Sequence, residues 1–503
     1  MFSRTPVWLV LWSLALFTAA LLLNTRANTF PYFYHPDEGE KAAQLITGNW
    51  NFHHPMLLLT TAKTAVNLAG VPLREQSVVE AGRWVSAAFA AAAVVALSLL
   101  AFAWRGWVAA ISAGLALLLH HQFFELSHYV KEDTALLFGV ACTFLAAYLC
   151  WQRPTPARAV ALGVAAACAI SGKYLGVCVL AVGLPVLWFA PGAGRNARLM
   201  WFAGALLIGL LIINLPVMTQ PGAFGQSFDR ELQLAVHGQS GTTRSVPHTL
   251  YWNIFRDNTT PVMWGLLLVF LVARWRERRS VTLVEWLIIA FPFAYAVALS
   301  FSPKSNDRYF LPATGILTML AAFGVLDGAR LLSRWVPLRW ATAALALALV
   351  AAQLPSWLRY EAAFQNDDNR ELFDWVKTHL PPDAVIAKDS RVQLPSPKNT
   401  RVSEHFGLLP QTILAAKFAA DLGSIRELRK RGVTHLAVSD SDFGRFFLRG
   451  LRPKKNDEDA FERRKNFYKK LLRDGDLLFV TERGTVLYLH PGLRLYRIPP
   501  PEE

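Results

Sequence analysis

The chain has 503 residues, 53% of them hydrophobic and only 17% charged, with a formal net charge of +15. That balance excludes an ordinary water-soluble protein, in which about a quarter of residues are charged. Much of the basic excess is arginine in short loops between apolar runs, which points to membrane topology rather than nucleic acid, and no nucleic-acid motif is present.

A membrane span needs about 20 apolar residues. Hydropathy predicts spans near 7–23, 81–103, 107–123, 134–151, 157–171, 174–190, 199–217, 260–274, 282–301, 309–326 and 338–353, about eleven helices. The first span follows Arg4 and precedes no small-x-small cleavage site, so it is expected to stay as an anchor. In the large loop 24–80, residues 39–43 start a helix. Residues 55–68 form an amphipathic one, expected to lie in the membrane interface with Leu57, Leu58 and Leu59 in lipid. The four cysteines, Cys142, Cys150, Cys168 and Cys178, lie in or at the end of apolar spans and read as small buried hydrophobes. From about residue 354 the composition turns mixed. Residues 361–379, 424–431 and 457–473 read as helices, and 384–387, 434–439, 477–481 and 485–489 as strands. The expected organisation is an α-helical polytopic membrane domain, 1–353, followed by a small α/β domain, 354–503.

Alternate short loops are rich in arginine: Arg4; Arg105; Arg153 and Arg158; Arg195 and Arg198; Arg274, Arg276, Arg278 and Arg279; Arg330, Arg334 and Arg339. The positive-inside rule places these in the cytoplasm, with 24–80, 122–133, 171–173, 218–259, 302–308 and the tail on the other side. This requires a hairpin at 171–173; one long helix over 157–190 would invert every later loop.

Five polar clusters then share that side: His35-Pro36-Asp37-Glu38, Lys131-Glu132-Asp133, Ser171-Gly172-Lys173, the stretch 229–244, and Lys304-Ser305-Asn306-Asp307-Arg308. Asp37 and Glu38 either satisfy a helix N-terminus or supply a general base for an attacking hydroxyl. Glu132 and Asp133 either cap the next span or position an acceptor or a divalent cation with oxygen ligands. His53 and His54 read as a turn before a helix, with metal binding the alternative. Lys173 and Arg308 either snorkel to lipid phosphates or form a fixed pair that binds a leaving phosphate. No nucleotide-binding loop, zinc spacing or nucleophile elbow is present, so a lipid-phosphate donor fits better than a soluble nucleotide sugar.

Tyr34-His35-Pro36-Asp37-Glu38, His54-Pro55-Met56-Leu57, Lys131-Glu132-Asp133-Thr134, Ser171-Gly172-Lys173-Tyr174 and Arg308-Tyr309-Phe310-Leu311-Pro312 follow one another in the membrane part. The tail adds Trp375 to Pro382 (WVKTHLPP) and Gly432-Val433-Thr434-His435. Over most of its length the chain resembles the GT-C membrane glycosyltransferases, in particular bacterial relatives of the protein O-mannosyltransferases and of the aminoarabinose lipid A transferase. It departs from their usual pattern at Met56, where a second proline is common, and at Glu132-Asp133-Thr134, where a single acid precedes proline. The resemblance implies a polyprenyl-phosphate sugar donor and a single displacement that inverts the anomeric centre. Asp37 would be the base with Glu38 beside it. Lys173, Arg308 and Tyr309 would hold the donor phosphate, and Glu132 or Asp133, with His54, would position an acceptor or a metal. No cofactor beyond a divalent cation is implied. The acceptor would be a hydroxyl of a lipid, glycan or protein.

A cysteine-free exterior and arginine-only cytoplasmic loops point to a bacterial inner membrane, with the N-terminus cytoplasmic, the tail periplasmic or extracellular and undecaprenyl phosphate as carrier. Two rivals remain: a flippase for a lipid-linked sugar, which would keep charges at mid-membrane, and an inactive scaffold binding a partner through basic stretches at 426–431 and 452–455.

Overall fold

The computed structural model describes residues 5–192, 194–237, 242–244, 255–301, 307–396, 399–448, 451–453 and 457–498. Residues 304–306, 238–241 and 454–455, part of the polar and basic stretches above, lie outside them. The chain divides into two units, Met1–Asn28, Glu40–His237 and Pro247–Leu358 forming one, and Thr29–Gly39, Gly238–Val246 and Arg359–Glu503 the other.

The first unit is helical. Its helices begin with α1 (Thr5–Asn24), α2 (Glu38–Thr47), α3 (Leu57–Leu68), α4 (Glu75–Arg105), α5 (Trp107–Leu118), α6 (His121–Ser127), α7 (Glu132–Gln152), α8 (Pro156–Gly172), α9 (Leu180–Phe189) and α10 (Arg195–Ile213). Pro261–Arg276, Leu283–Ser300, Leu311–Leu332 and Leu338–Ala351 follow. Most predicted spans fall on one of these helices, but 107–123 runs across α5 and α6, 174–190 is a 3-10 helix followed by α9, and 199–217 runs past the end of α10. Among the described residues seven are long and apolar enough to cross a membrane alone, or eight if α5 and α6, bent by 53°, count as one. Lipid is the natural solvent for α10, where Met200, Leu207, Ile208 and Ile212 are each more than half exposed.

α7 packs between α4 and α8, and α8 against α10. The α7–α8 contact is close enough to require a glycine: a Cβ on Gly172 would lie 2.6 Å from the backbone nitrogen of Leu136. After Gly172 the chain turns through extended Lys173 (φ −164°, ψ 149°) into a 3-10 helix, Tyr174–Val179. That helix folds back on α8, because a Cβ on Gly176 would lie 2.0 Å from the Ala169 carbonyl oxygen. Residues 157–190 are therefore a hairpin with Lys173 at its tip. α3 differs from expectation. Leu57, Leu58 and Leu59 are buried at 8%, 0% and 3% exposure, packed on protein instead of lipid, since α3 lies against α4, α7 and α8.

The second unit contains a five-stranded sheet. β1 (Thr242–Arg244) pairs separately with β5 (Leu451–Pro453). The sheet proper has the order β3-β2-β4-β7-β6, from β2 (Val385–Lys388), β3 (Thr412–Ala415), β4 (His435–Ser439), β6 (Asp476–Val480) and β7 (Leu493–Arg497). β3, β2 and β4 run parallel, and β7 is antiparallel to both β4 and β6. The strand expected at 485–489 is a turn, and β7 takes its place because the alternation Leu493, Leu495 buries one face against β4. β3 was not anticipated. Asp389, fully buried, accepts hydrogen bonds from the backbone N–H of Ala419 and of Ser439 and from Tyr468 Oη at 2.7–3.1 Å. Burial, reinforced by Asp442, pushes its carboxyl up to about 7.

The segment Thr29–Gly39 packs with the tail. Tyr34 Oη donates to Asp367 Oδ2 at 2.7 Å, Phe30 contacts Phe364, and the His35 ring sits 4.4 Å from that of Tyr488.

Candidate active site at the start of α7

Side chains of consecutive helical residues project about 100° apart, so the adjacent acids Glu132 and Asp133 meet different partners. Lys131 precedes them in extended conformation as the N-cap residue of α7. All three are about 1% exposed.

Asp133 faces two cations. Its Oδ1 accepts a 2.6 Å hydrogen bond from Lys173 Nζ, and its Oδ2 lies 3.7 Å from Arg308 Nε. Tyr309 lies under both, its ring centre 4.3 Å from Lys173 Nζ and 5.7 Å from the Arg308 guanidinium. Two local devices fix these cations. The α8 hairpin aims Lys173. Gln122 of α6 ties down the turn Asp307–Phe310 by donating to the Asp307 carbonyl at 3.0 Å while accepting from Thr314 at 2.8 Å.

Glu132 faces α2 and the loop before α3. Its Oε1 accepts a 2.5 Å hydrogen bond from Lys41 Nζ, which also donates to the Val130 carbonyl at 2.6 Å. Its Oε2 lies 3.9 Å from His54 Nε2. Burial lowers the Lys41 ammonium from its ordinary range, and Glu132 opposes the shift. Burial lowers His54 to about 4, so the imidazole is neutral at pH 7.

His54 is presented by a constrained turn. Phe52 is buried with φ 48°, a left-handed conformation costing a β-carbon residue about 1–2 kcal/mol. Asn214 accepts from the Met56 N–H at 3.0 Å and donates to Ser171 Oγ at 2.7 Å. Beside this turn a cavity of about 230 Å³ is lined mainly by apolar groups, among them Phe52, Ile170, Tyr174, Leu210, Met218 and Phe224, with His54 at its wall.

Six residues expected at the site, Glu132, Asp133, Lys173, Arg308, Tyr309 and His54, thus come together in the first unit. Asp37 and Glu38 end the segment that belongs to the second unit. Asp37 is half-buried, with its N–H bonded to His35 Nδ1 at 3.2 Å, and buried Glu38 opens α2. His53 pairs instead with Glu231 of the helix Pro221–His237, at 3.9 Å. Sequence reasoning missed Lys41. Its one signal is a position three residues after Glu38, in the same helix.

Lys41, Lys131, Lys173 and Arg308 surround two carboxylates, with Glu125 and Asp307 the further acids in range of Arg308. Fixed cations of this kind, with an apolar cavity in the same unit, suit an anionic headgroup on an apolar chain.

The sequence pattern of the dolichyl-phosphate-mannose-protein mannosyltransferase family matches residues 34–224. Comparison with curated proteins gives no match. Among solved structures, ArnT from Cupriavidus metallidurans bound to undecaprenyl phosphate aligns over 98% of this chain and 99% of its own, at 16% identity and a TM-score of 0.56. The apo form of that protein aligns over the same shares with a TM-score of 0.50. An Archaeoglobus fulgidus oligosaccharyltransferase aligns over 93% of this chain and 72% of its own, at 12% identity and a TM-score of 0.49. This chain is a GT-C-fold integral membrane protein, similar in fold to ArnT and matching the mannosyltransferase family pattern over part of its length.

Proposed function

We propose that this protein transfers a sugar from a polyprenyl-phosphate carrier, undecaprenyl phosphate in a bacterium, to a hydroxyl of a lipid, glycan or protein on the non-cytoplasmic membrane face. The observation that carries the proposal is the buried group Asp133–Lys173–Arg308 over Tyr309, two fixed cations held by one carboxylate. The family match over 34–224 supports it. So does the ArnT structure, which holds undecaprenyl phosphate in the same fold.

In this reading the acceptor hydroxyl oxygen attacks the anomeric carbon while its proton passes to Asp37. The carbon–oxygen bond to phosphate breaks, and the electron pair leaves on the phosphate, where Lys173 and Arg308 stabilise the charge. One displacement inverts the anomeric centre. Tyr309 keeps the two cations aligned, and the cavity beside His54 accommodates part of the isoprenoid. Glu132, held by Lys41, orients the acceptor.

The test is release of free polyprenyl phosphate by purified protein in liposomes, offered a panel of polyprenyl-phosphate sugars and a membrane extract as acceptor. Release by wild type but not by Lys173→Met is expected. Transbilayer movement of labelled lipid-linked sugar without release would favour the flippase reading.

A further inference from the structure

Two neighbouring carboxylates at a transferase site are the oxygen ligands a divalent cation takes, usually six or more oxygens for calcium and an octahedron for magnesium. In this chain both acids already face basic side chains. Glu132 Oε1 is 2.5 Å from the Lys41 ammonium and Oε2 is 3.9 Å from His54. Asp133 is 2.6 Å from Lys173 and 3.7 Å from Arg308. Buried Lys131 lies in the same field, though burial and the neighbouring Arg308 hold its ammonium well below its ordinary range. A divalent ion at these acids would meet four basic side chains, and to bind Glu132 through both oxygens it would have to displace Lys41 from Oε1. Among the described residues no group of three or more His, Cys, Asp and Glu side chains is placed to hold a metal.

We infer that Lys41 takes the part a metal ion would otherwise play: its ammonium, fixed on Glu132, makes this a metal-independent site, with Lys41 as the positioning residue for that acid. The geometry suits the role. Lys41 is 6% exposed and donates to both the Val130 carbonyl and Glu132, so its ammonium cannot swing away. α2 holds it by burying Ala42 and Leu45 completely. With Oε1 taken by Lys41, Glu132 keeps Oε2, 3.9 Å from the His54 ring, for a hydroxyl group. The inference borrows the proposed function only for the activity it reads; metal binding is judged without it.

The experiment takes full-length protein purified in detergent, exposed to EDTA and then to Mg²⁺, Mn²⁺ or Zn²⁺. Metal content by mass spectrometry, the thermal unfolding midpoint and polyprenyl-phosphate release are measured. Well under one equivalent of metal, an unmoved midpoint and unchanged release are expected. One equivalent retained by wild type and lost in Glu132→Gln, or release abolished by EDTA and restored by a metal, would overturn the inference. Lys41→Met should lower the midpoint and cut turnover about 10–100-fold, as the loss of a supporting interaction does. Lys41→Met with Glu132→Gln removes the stranded charge and should restore the midpoint without restoring turnover. Recovery of both would reduce Lys41 to a purely structural residue and sink its positioning role. If wild type turns over no donor at all, the proposed function fails, while metal content and midpoint still decide this inference.

Discussion

Replacing Lys173 by methionine removes one of the two cations on Asp133 while keeping most of the side-chain volume. At an effective dielectric of about 20, unit charges 2.6 Å apart attract by about 6 kcal/mol and 3.7 Å apart by about 4–5 kcal/mol. The variant therefore loses the larger share of the attraction holding a carboxylate that is 1% exposed. Breaking one side of a buried pair costs about 3–5 kcal/mol, because the other charge stays buried. Arg308 remains, so the expected loss lies near the lower end. Lys173→Met with Asp133→Asn removes both partners of the closer pair, leaving only Arg308, 18% exposed, deprived of Asp133, and should recover much of that stability. The cycle of wild type, two single variants and the double, followed by thermal unfolding in one detergent, should give a coupling of about 3 kcal/mol. Donor binding should respond differently. A charge-assisted hydrogen bond is worth about 1.5–3 kcal/mol, so both variants lacking Lys173 should bind undecaprenyl phosphate about 10–150-fold more weakly, the stable double included. A coupling below 1 kcal/mol, or unchanged donor affinity in the double variant, would refute the reasoning.

Three other outcomes are expected. Asp37→Asn should lower turnover about 10²–10⁴-fold with little change in donor affinity, and wild-type turnover would remove Asp37 as the base. Gly172→Ala should destabilise by about 1–3 kcal/mol through overpacking, because its Cβ meets α7 backbone at 2.6 Å; an unchanged unfolding midpoint would contradict the α7–α8 contact. The folded Asp389 carboxyl holds its proton up to about 7, above the ordinary 3.8 expected in the unfolded chain. The native state thus binds more protons between these values, so stability should fall as pH rises from about 4 to 7 and level off above. The full difference is worth up to about 4 kcal/mol. Unfolding midpoints of wild type and Asp389→Asn across that range test this, and an equal slope in both would disprove it.

The helices were legible because each span writes its length in continuous apolar residues, and the arginine pattern called for the hairpin at Lys173, which the backbone contact at Gly176 now fixes. Asp133, Lys173 and Arg308 could be grouped as one rim from topology alone. Lys41 could not, because its partner Glu132 is 91 positions away and nothing local distinguishes it from a solvated helical lysine. Leu57, Leu58 and Leu59 misled for a related reason: an amphipathic helix reads the same against lipid as against α4. In the tail, both Thr485-Val486-Leu487-Tyr488-Leu489 and Leu493-Arg494-Leu495-Tyr496-Arg497 carry strand-forming residues, and only the register against β4 chooses between them.

The bond from Tyr34 to Asp367 spans 333 positions. At ribosomal speeds of about 5–20 residues per second, roughly 15–70 s separate synthesis of the first partner from that of the second. The nascent chain therefore threads its helices into the bilayer while the segment bearing Asp37 still lacks its packing partners. A chain stopped before residue 359 would keep Lys41, Glu132, Asp133, Lys173 and Arg308 yet leave that segment without its anchor. The tail thus serves the Asp37-bearing segment as an anchor supplied late, 333 positions after the segment's own Tyr34.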